Sequence, residues 1–372
     1  MTAQKARLIE ILLAAMPLTV FTFSRGAFMS RSRRSFATSL DSITDVMRQG
    51  ANEQMDRWMD HQRTSQEGPI TWPSRTVASK YVEEHIDAIL LDCDGVLYRG
   101  LDVTPEAPEC LSRLMAKGKQ LFFVTNNAGQ NRLQLRDKLV QILDCSELKE
   151  EQMICSSYSC AQYLKEQLLE HGRRRVHVIG TQGLCDELTK TGFVVTGGPS
   201  EDVRCGMSRD ELAAYDFSEH PTDAVVVGLD TDFNYRKLCI ANVLLQRNRD
   251  ALFVATNEDA FDLVGADARH LPGNGALVKA LEHASQRNAI NVGKPSAVLA
   301  NLIHRQHNLD PSRTLMVGDR LDTDIRFGVE GGMVSALVLT GCTTANDLVA
   351  LGKGSQEEPM PDVILPYMGL LA

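Results

Sequence analysis

A rhythm in the sequence restricts the fold more than any single residue does. From about residue 86 onward, eight short apolar runs recur: AILLD (88–92), QLFFVTNN (120–127), VHVIG (176–180), AVVVGLD (224–230), ALFVATN (251–257), INVGKP (290–295), TLMVGD (314–319) and VSALVLTG (334–341). Each is short, rich in β-branched residues and closed off by Gly, Asp, Asn or Thr, which is the pattern of a strand buried on both faces. Helix-compatible segments lie between the runs. The first carries Ala107, Leu111, Leu114 and Met115 at helical spacing and stops at Gly118. Strand, turn and helix in repetition specify an α/β fold: a doubly wound, Rossmann-like parallel sheet with helices on both faces. The distance from Asn127 to Lys294 is far too long for one connection and holds strands of its own, so a second α/β unit is expected there.

The ends of the runs carry the chemistry. In open α/β sheets, ligands bind beyond the carboxyl ends of the strands. Here those ends present Asp92 and Asp94, then Thr125, Asn126 and Asn127, then Lys294, then Gly318 and Asp319. Strand side chains alternate faces, so Asp92 and Asp94 project together and Cys93 turns away. Two close carboxylates repel, and a cation between them relieves the repulsion. Mg²⁺ suits hard oxygen ligands and takes one or two carboxylates with waters and a substrate phosphate. Asp319 adds a third acid, Lys294 a cation for an anionic substrate, and Thr and Asn neutral donors. This inventory fits phosphoryl transfer, where catalysis is mostly positioning and charge neutralisation. One aspartate attacks phosphorus; the other protonates the leaving alkoxide and then activates water.

Together DCDGVLYRG (92–100), VTNN (124–127), GKP (293–295) and GDRLDTD (318–324) resemble the four motifs of the haloacid dehalogenase superfamily of phosphatases. Their wording is closest to the phosphoglycolate, 4-nitrophenyl-phosphate and pyridoxal-phosphate phosphatases, and the resemblance covers roughly residues 86–372. It implies Asp92 as nucleophile and Asp94 as general acid/base. It implies Mg²⁺ held by Asp92, the backbone carbonyl of Asp94, and Asp319, with Asp324 supporting the metal's outer shell. Thr125, Asn126 and Asn127 would bind the transferring phosphoryl group, and Lys294 would bridge it to the nucleophile. Superfamily dehalogenases lack the second aspartate of the first motif, so Asp94 argues for phosphatase chemistry. The inserted unit would be an α/β cap over residues 170–288, with the phosphatase core formed by 86–169 and 289–372. A homodimer through the cap is compatible with the family.

GLDTDFNYRKL (228–238) resembles the family's substrate-specificity loop. Where the pyridoxal-phosphate enzymes carry a histidine, this chain has Asp232, which is a poor support for an aromatic pyridine. That favours 2-phosphoglycolate as substrate, with Arg236 or Lys237 available to pair the acid. Pyridoxal-phosphate or phosphoprotein hydrolysis is the alternative within enzymes, and a non-catalytic phosphate-binding protein on the same fold is the alternative outside them. Plainer readings stand beside the sharp ones. Asp322 and Asp324 also suit a helix N-terminus, Cys93 a small buried hydrophobe, Asp232 a solvated loop acid. PGNG (272–275) fits an anion cradle or an ordinary helix-entry turn.

Composition bounds the rest. Of 372 residues 43% are hydrophobic and the net charge is −9, which argues against nonspecific nucleic-acid binding. Nine cysteines, none in a Cys-x-x-Cys pair, indicate reduced thiols rather than a disulfide framework or structural zinc site. Residues 1–40 hold six Lys or Arg and one acid, with clustered serines, as organelle presequences do. RSFATS (34–39) resembles a mitochondrial processing site, and the apolar run from Ile11 to Phe23 fits the signal core of a two-part plastid leader. A mitochondrial or plastid location is expected, with the cytoplasm as the alternative. No segment is long and apolar enough to be read as a membrane span. Residues 41–85 form an extension, in which Ile43, Met47, Ala51, Met55 and Met59 mark a helix packed on the domain and TSQEGPITWPS (64–74) reads as a loop.

Overall fold

The computed structural model describes residues 44–56, 70–71, 74–200, 208–214, 221–264, 269–352 and 358–372. The presequence reading of residues 1–40, and Ile43 and Met59 in the extension, lie outside the described residues.

Chain order builds half of one sheet, then all of a second, then returns to the first. Strand β1 (Ile70–Thr71) and β2 (Ala88–Leu91) lead into a small antiparallel hairpin, β3 (Tyr98–Arg99) with β4 (Asp102–Val103). Next come β5 (Gln120–Thr125) and β6 (Met153–Cys155). The second sheet takes β7 (Arg175–Ile179), β8 (Val194–Gly197), β9 (Ala224–Val227) and β10 (Leu252–Ala255). An antiparallel hairpin of β11 (Phe261–Val264) and β12 (Arg269–Pro272) follows, and β13 (Ile290–Asn291) completes that sheet. The chain then returns through β14 (Thr314–Gly318), β15 (Val334–Val338) and β16 (Val363–Leu365).

The core sheet has seven strands in the order β1-β16-β15-β14-β2-β5-β6, every pair parallel. The inserted sheet has five, in the order β13-β10-β9-β7-β8, also all parallel. Alternation along each strand sorts the side chains to two faces. Ile89, Leu91, Leu121, Phe123, Leu315 and Val317 pack into one cluster, and Ala88, Leu90, Phe122, Val124 and Met316 into another on the opposite face. In the inserted sheet Val176, Val178, Ala224 and Val226 separate in the same way from Val225, Val227, Phe253 and Ala255. Burying both faces is what the unbroken apolar runs require, and each fully buried Leu, Ile or Phe contributes roughly 1.5–3 kcal/mol of transfer free energy. The expected α/β architecture with an inserted α/β domain is the observed one.

Helix Ala107–Ala116 buries Ala107, Cys110, Leu111 and Leu114 and is followed by Gly118 at φ +73°, as its spacing indicated. The extension joins the core. Residues 44–56 are helical, Ala51 and Met55 are buried, and Met55 packs with Leu321, Ile325, Leu337, Leu348 and Ile364. The TSQEGPITWPS segment is not wholly a loop: Ile70 and Thr71 pair with Val363 and Ile364 and add an edge strand. A two-residue strand flanked by Gly and Pro has too few side chains to show a period, so only its pairing reveals it. Among the described residues no helix is long and apolar enough to cross a membrane.

Candidate active site

Strand order sets the site. β14, β2 and β5 are neighbours, so their carboxyl ends carry Asp319, Asp92 and Thr125 side by side. Asp92 still belongs to the ladder, its N–H donating to the Val317 carbonyl at 2.9 Å. Beyond it the chain turns through Gly95 at φ +81°, and an isolated bridge pairs Asp94 with Tyr98. Asp319 is held from both sides. A Cβ on Gly95 would lie 2.4 Å from Asp319 Oδ2, and one on Gly341 would lie 1.8 Å from it. Only glycine lets these two backbones close around the carboxylate. Cys342 N–H donates to the same Oδ2 at 2.7 Å.

Asp324 comes from the short helical segment Leu321–Ile325 that follows β14 and is 1% exposed. Its Oδ2 accepts from the N–H groups of Asp319 and Arg320, each at 3.1 Å. Its Oδ1 faces Lys294 Nζ at 2.7 Å. Lys294, 2% exposed, donates to Asp92 Oδ1 at 2.5 Å and to the Val124 carbonyl at 2.8 Å. Two of its hydrogens are thus committed, and its charge also faces Asp324. Burial alone would lower the Lys294 pKa, but Asp324 and Asp92 raise it above the ordinary lysine value.

Asp92, Asp319 and Asp324 offer carboxylate oxygens that all lie within 4.8 Å of one another. Burial, then the neighbouring carboxylates, raises Asp92 well above the usual range despite Lys294. Burial and then Asp324 push Asp319 up to about 7. One ammonium against three buried carboxylates leaves negative charge in excess, and a hard divalent cation fits that donor set. Among the described residues this is the one group of His, Cys, Asp and Glu placed to hold a metal ion.

The remaining candidates divide. Thr125 Oγ1 accepts from Asn127 N–H at 3.2 Å, and Asn127 Oδ1 accepts from Gly129 N–H at 2.7 Å. Asn126 is spent on structure. Its Nδ2 donates to Asp259 Oδ1 at 2.8 Å and to the Lys294 carbonyl at 3.2 Å, and its Oδ1 accepts from Lys294 N–H at 2.8 Å. Asp94 is open to solvent on one side while protein encloses it elsewhere, and that burial raises its pKa. Tyr98 OH donates to Asp94 Oδ2 at 3.3 Å. Asp232 is exposed on the loop after β9, its N–H donating to Asp230 Oδ1 at 2.9 Å. Beneath it Lys237 pairs with Asp230 at 2.6 Å in a buried ion pair. Asp322 pairs with Arg320 at 3.0 Å. Cys93 is fully buried in the core. PGNG is a packing turn. Gly275 N–H donates to the Asp259 carbonyl at 2.9 Å, and Asn274 Nδ2 to the Asn257 carbonyl at 2.7 Å.

Sequence reasoning missed the residues that join the inserted domain to the strand ends. Asn257 Nδ2 donates to the Asn126 carbonyl at 2.7 Å, and Asp259 holds the Asn126 side chain. Asn257 ends the ALFVATN run, so strand-end logic could have found it; Asp259 carries no local signal. Arg320 Nη1 donates to the Phe261 carbonyl at 3.2 Å, and its guanidinium lies 4.9 Å from the Phe261 ring centroid.

Comparison with known proteins agrees with this geometry. Residues 89–194 match the haloacid dehalogenase-like hydrolase family, and residues 291–367 a HAD-hydrolase-like family. Arabidopsis thaliana phosphoglycolate phosphatase 1A, chloroplastic, is 38% identical over 71% of this chain and 72% of its own. Gallus gallus glycerol-3-phosphate phosphatase is 38% identical over 76% of this chain and 88% of its own. Mus musculus chronophin is 36% identical over 77% of this chain and 92% of its own. Among solved structures, the 4-nitrophenylphosphatase of Thermotoga maritima is 27% identical with a TM-score of 0.64 and covers 78% of this chain and 97% of its own. A glycerol phosphate phosphatase of Mycobacterium tuberculosis in complex with magnesium is 29% identical with a TM-score of 0.63, covering 78% and 77%. The chain belongs to the haloacid dehalogenase-like hydrolases, and within them to the phosphoric monoester hydrolases that include phosphoglycolate and p-nitrophenyl phosphatases and chronophin.

Proposed function

We propose that the chain hydrolyses a small phosphomonoester through an aspartyl-phosphate on Asp92, with Mg²⁺ as cofactor, and that its substrate is 2-phosphoglycolate. The observation that carries the chemistry is the buried Asp92–Lys294 pair set against Asp319 and Asp324. Asp92, the backbone carbonyl of Asp94, and Asp319 would hold the metal, with Asp324 behind it. Bound there, Mg²⁺ supplies positive charge against the carboxylates and the phosphoryl oxygens. Lys294 orients the Asp92 carboxylate through Oδ1 and neutralises part of its charge. Thr125 and Asn127 receive the phosphoryl group at the neighbouring strand end. Asp92 attacks phosphorus; as the Asp92 oxygen–phosphorus bond forms, the ester bond breaks and Asp94 gives its proton to the leaving alkoxide. Asp94 then takes a proton from water, which attacks phosphorus and frees Asp92 and inorganic phosphate.

Two features favour 2-phosphoglycolate. The chain shares 38% identity with two chloroplastic phosphoglycolate phosphatases, and Asp232 stands where a ring-contacting histidine would favour pyridoxal phosphate. Relatives named for glycerol 3-phosphate are equally similar, so the deciding experiment is phosphate release from a panel: 2-phosphoglycolate, glycerol 3-phosphate, pyridoxal phosphate, a phosphopeptide and 4-nitrophenyl phosphate. The highest kcat/KM is expected for 2-phosphoglycolate. EDTA should abolish turnover and Mg²⁺ restore it. Asp92→Asn should retain the fold and lose turnover by about 10³-fold or more, as removal of a nucleophile does; a near-normal rate in that variant would end the covalent mechanism.

We further read residues 1–40 as an organelle presequence. The support is their charge together with the position of the first described helix, which starts at residue 44 and packs on the core. A fluorescent reporter fused behind residues 1–45 should enter a mitochondrion or plastid and be shortened; diffuse, unprocessed fluorescence would refute this.

A further inference from the structure

Tyr98 and Lys138 were given no role by the motifs, yet they end on Asp94. Tyr98 opens the β3–β4 hairpin and is 1% exposed, among the largest fully buried side chains of the protein. Lys138 lies on the helix Arg132–Leu143, which follows the strand ending in Thr125. Its Nζ donates to Tyr98 OH at 2.9 Å and stands 4.3 Å from the ring centroid.

An ammonium has hydrogens to give and no lone pair, so at this contact the phenolic oxygen is the acceptor. The single phenolic hydrogen is left for another partner, and Asp94 Oδ2 lies 3.3 Å away. The polarity of the chain is therefore fixed: Lys138 to Tyr98 to Asp94 Oδ2. With Oδ2 engaged, the carboxyl plane is set and Oδ1 is the oxygen left to exchange a proton with substrate. The contact is long for O–H···O, as catalytic hydrogen bonds often are before substrate tightens them. Packing does not account for the hydroxyl. Phenylalanine would bury the same ring without a polar group to satisfy.

We propose that Lys138 and Tyr98 are positioning residues that orient the Asp94 carboxyl for proton delivery to the leaving oxygen. The proposal rests on the general-acid reading of Asp94 given above.

The test exploits leaving groups. An alkoxide, as from 2-phosphoglycolate or glycerol 3-phosphate, needs a proton to depart; 4-nitrophenolate does not. The readout is kcat/KM, which reports transfer to Asp92 before water enters. Tyr98→Phe and Lys138→Met should each lose about tenfold or more on the alkyl phosphates, a part of the 10²–10⁴ that general-acid catalysis supplies. On 4-nitrophenyl phosphate they should lose less than about threefold by the same reasoning. Lys138→Arg, which keeps a donor, should recover part of the loss. Adding Lys138→Met to Tyr98→Phe should cost nothing further, because the chain is already cut. Equal losses on both substrate types, or additive losses in the double variant, would overturn the proposal. If Tyr98→Phe does not fold, Lys138→Met on the partly exposed helix face gives the same reading. Asp94→Asn, measured alongside, separates the two levels. If Asp94→Asn discriminates between leaving groups while the other variants do not, the positioning role is wrong and the general acid stands. If Asp94→Asn does not discriminate either, the general-acid assignment itself falls and the positioning role falls with it.

Discussion

Asp259 shows what a single residue contributes when it lies at a junction. Burial is the largest influence on its carboxyl and pushes its pKa up to about 6; Arg320, the Asn126 hydrogen bond and Lys294 pull the other way. In the unfolded chain an aspartate titrates near 3.9. Between about pH 4 and pH 6 the folded protein thus keeps a proton that the unfolded chain has released, and stability falls as pH rises through that window. Above it the deficit is complete. Asp259→Asn keeps an acceptor for Asn126 Nδ2 and never ionises. It should unfold at higher temperature than the native protein at pH 7, by at most about 3 kcal/mol in stability, and converge with it near pH 4. Melting curves at the two pH values check this; a variant less stable at pH 7 would mean that Arg320 and Lys294 more than offset burial.

The elements differ in how openly the sequence declares them. Strands β2, β5, β9, β10, β14 and β15 are continuous apolar runs because both their faces are covered, and no other pattern of burial would tolerate them. β1 and the β11–β12 hairpin are pairing features with little side-chain signature. Asp92, Lys294, Asp319 and Asp324 were legible because each ends or follows a strand, and the structure brings them together. Asn126 was legible as a strand-end residue, but its commitment to Asp259 depends on a contact between domains that no local pattern encodes. Lys138 sits on a helix at ordinary spacing and was invisible for the same reason.

Two predictions belong to elements. The helix at residues 44–56 reaches Leu321, Ile325 and Leu337 through Met55, and Gln54 Oε1 accepts from Ala345 N–H at 3.0 Å. A chain beginning at residue 41 should melt as the full chain does, whereas one beginning at residue 57 should lose several kcal/mol, since burial of Met55 alone is worth roughly 2–5 kcal/mol. Equal melting temperatures would show the helix to be dispensable. The loop after β9 carries Asp232 into solvent while Asp230 and Lys237 hold its base. If that loop meets the leaving group in the closed enzyme, Asp232→His should shift the ratio of kcat/KM toward pyridoxal phosphate over phosphoglycolate by about 10–200-fold, the range of a single specificity contact. An unchanged ratio would make Asp232 a surface acid and place specificity elsewhere in the inserted domain.

At the scale of the whole molecule, the core sheet is written in two instalments. β1, β2, β5 and β6 come before the inserted domain, and β14, β15 and β16 after it, yet β14 lies directly against β2 and β16 against β1. The site divides along the same line: Asp92, Asp94 and Thr125 belong to the first instalment, Lys294, Asp319 and Asp324 to the second. Contacts so distant in sequence form late in folding. While the chain is still emerging from a ribosome, Asp92 has beside it neither Lys294 nor the carboxylates of Asp319 and Asp324. The aspartyl-phosphate chemistry proposed for Asp92 therefore needs both instalments of the sheet to have met.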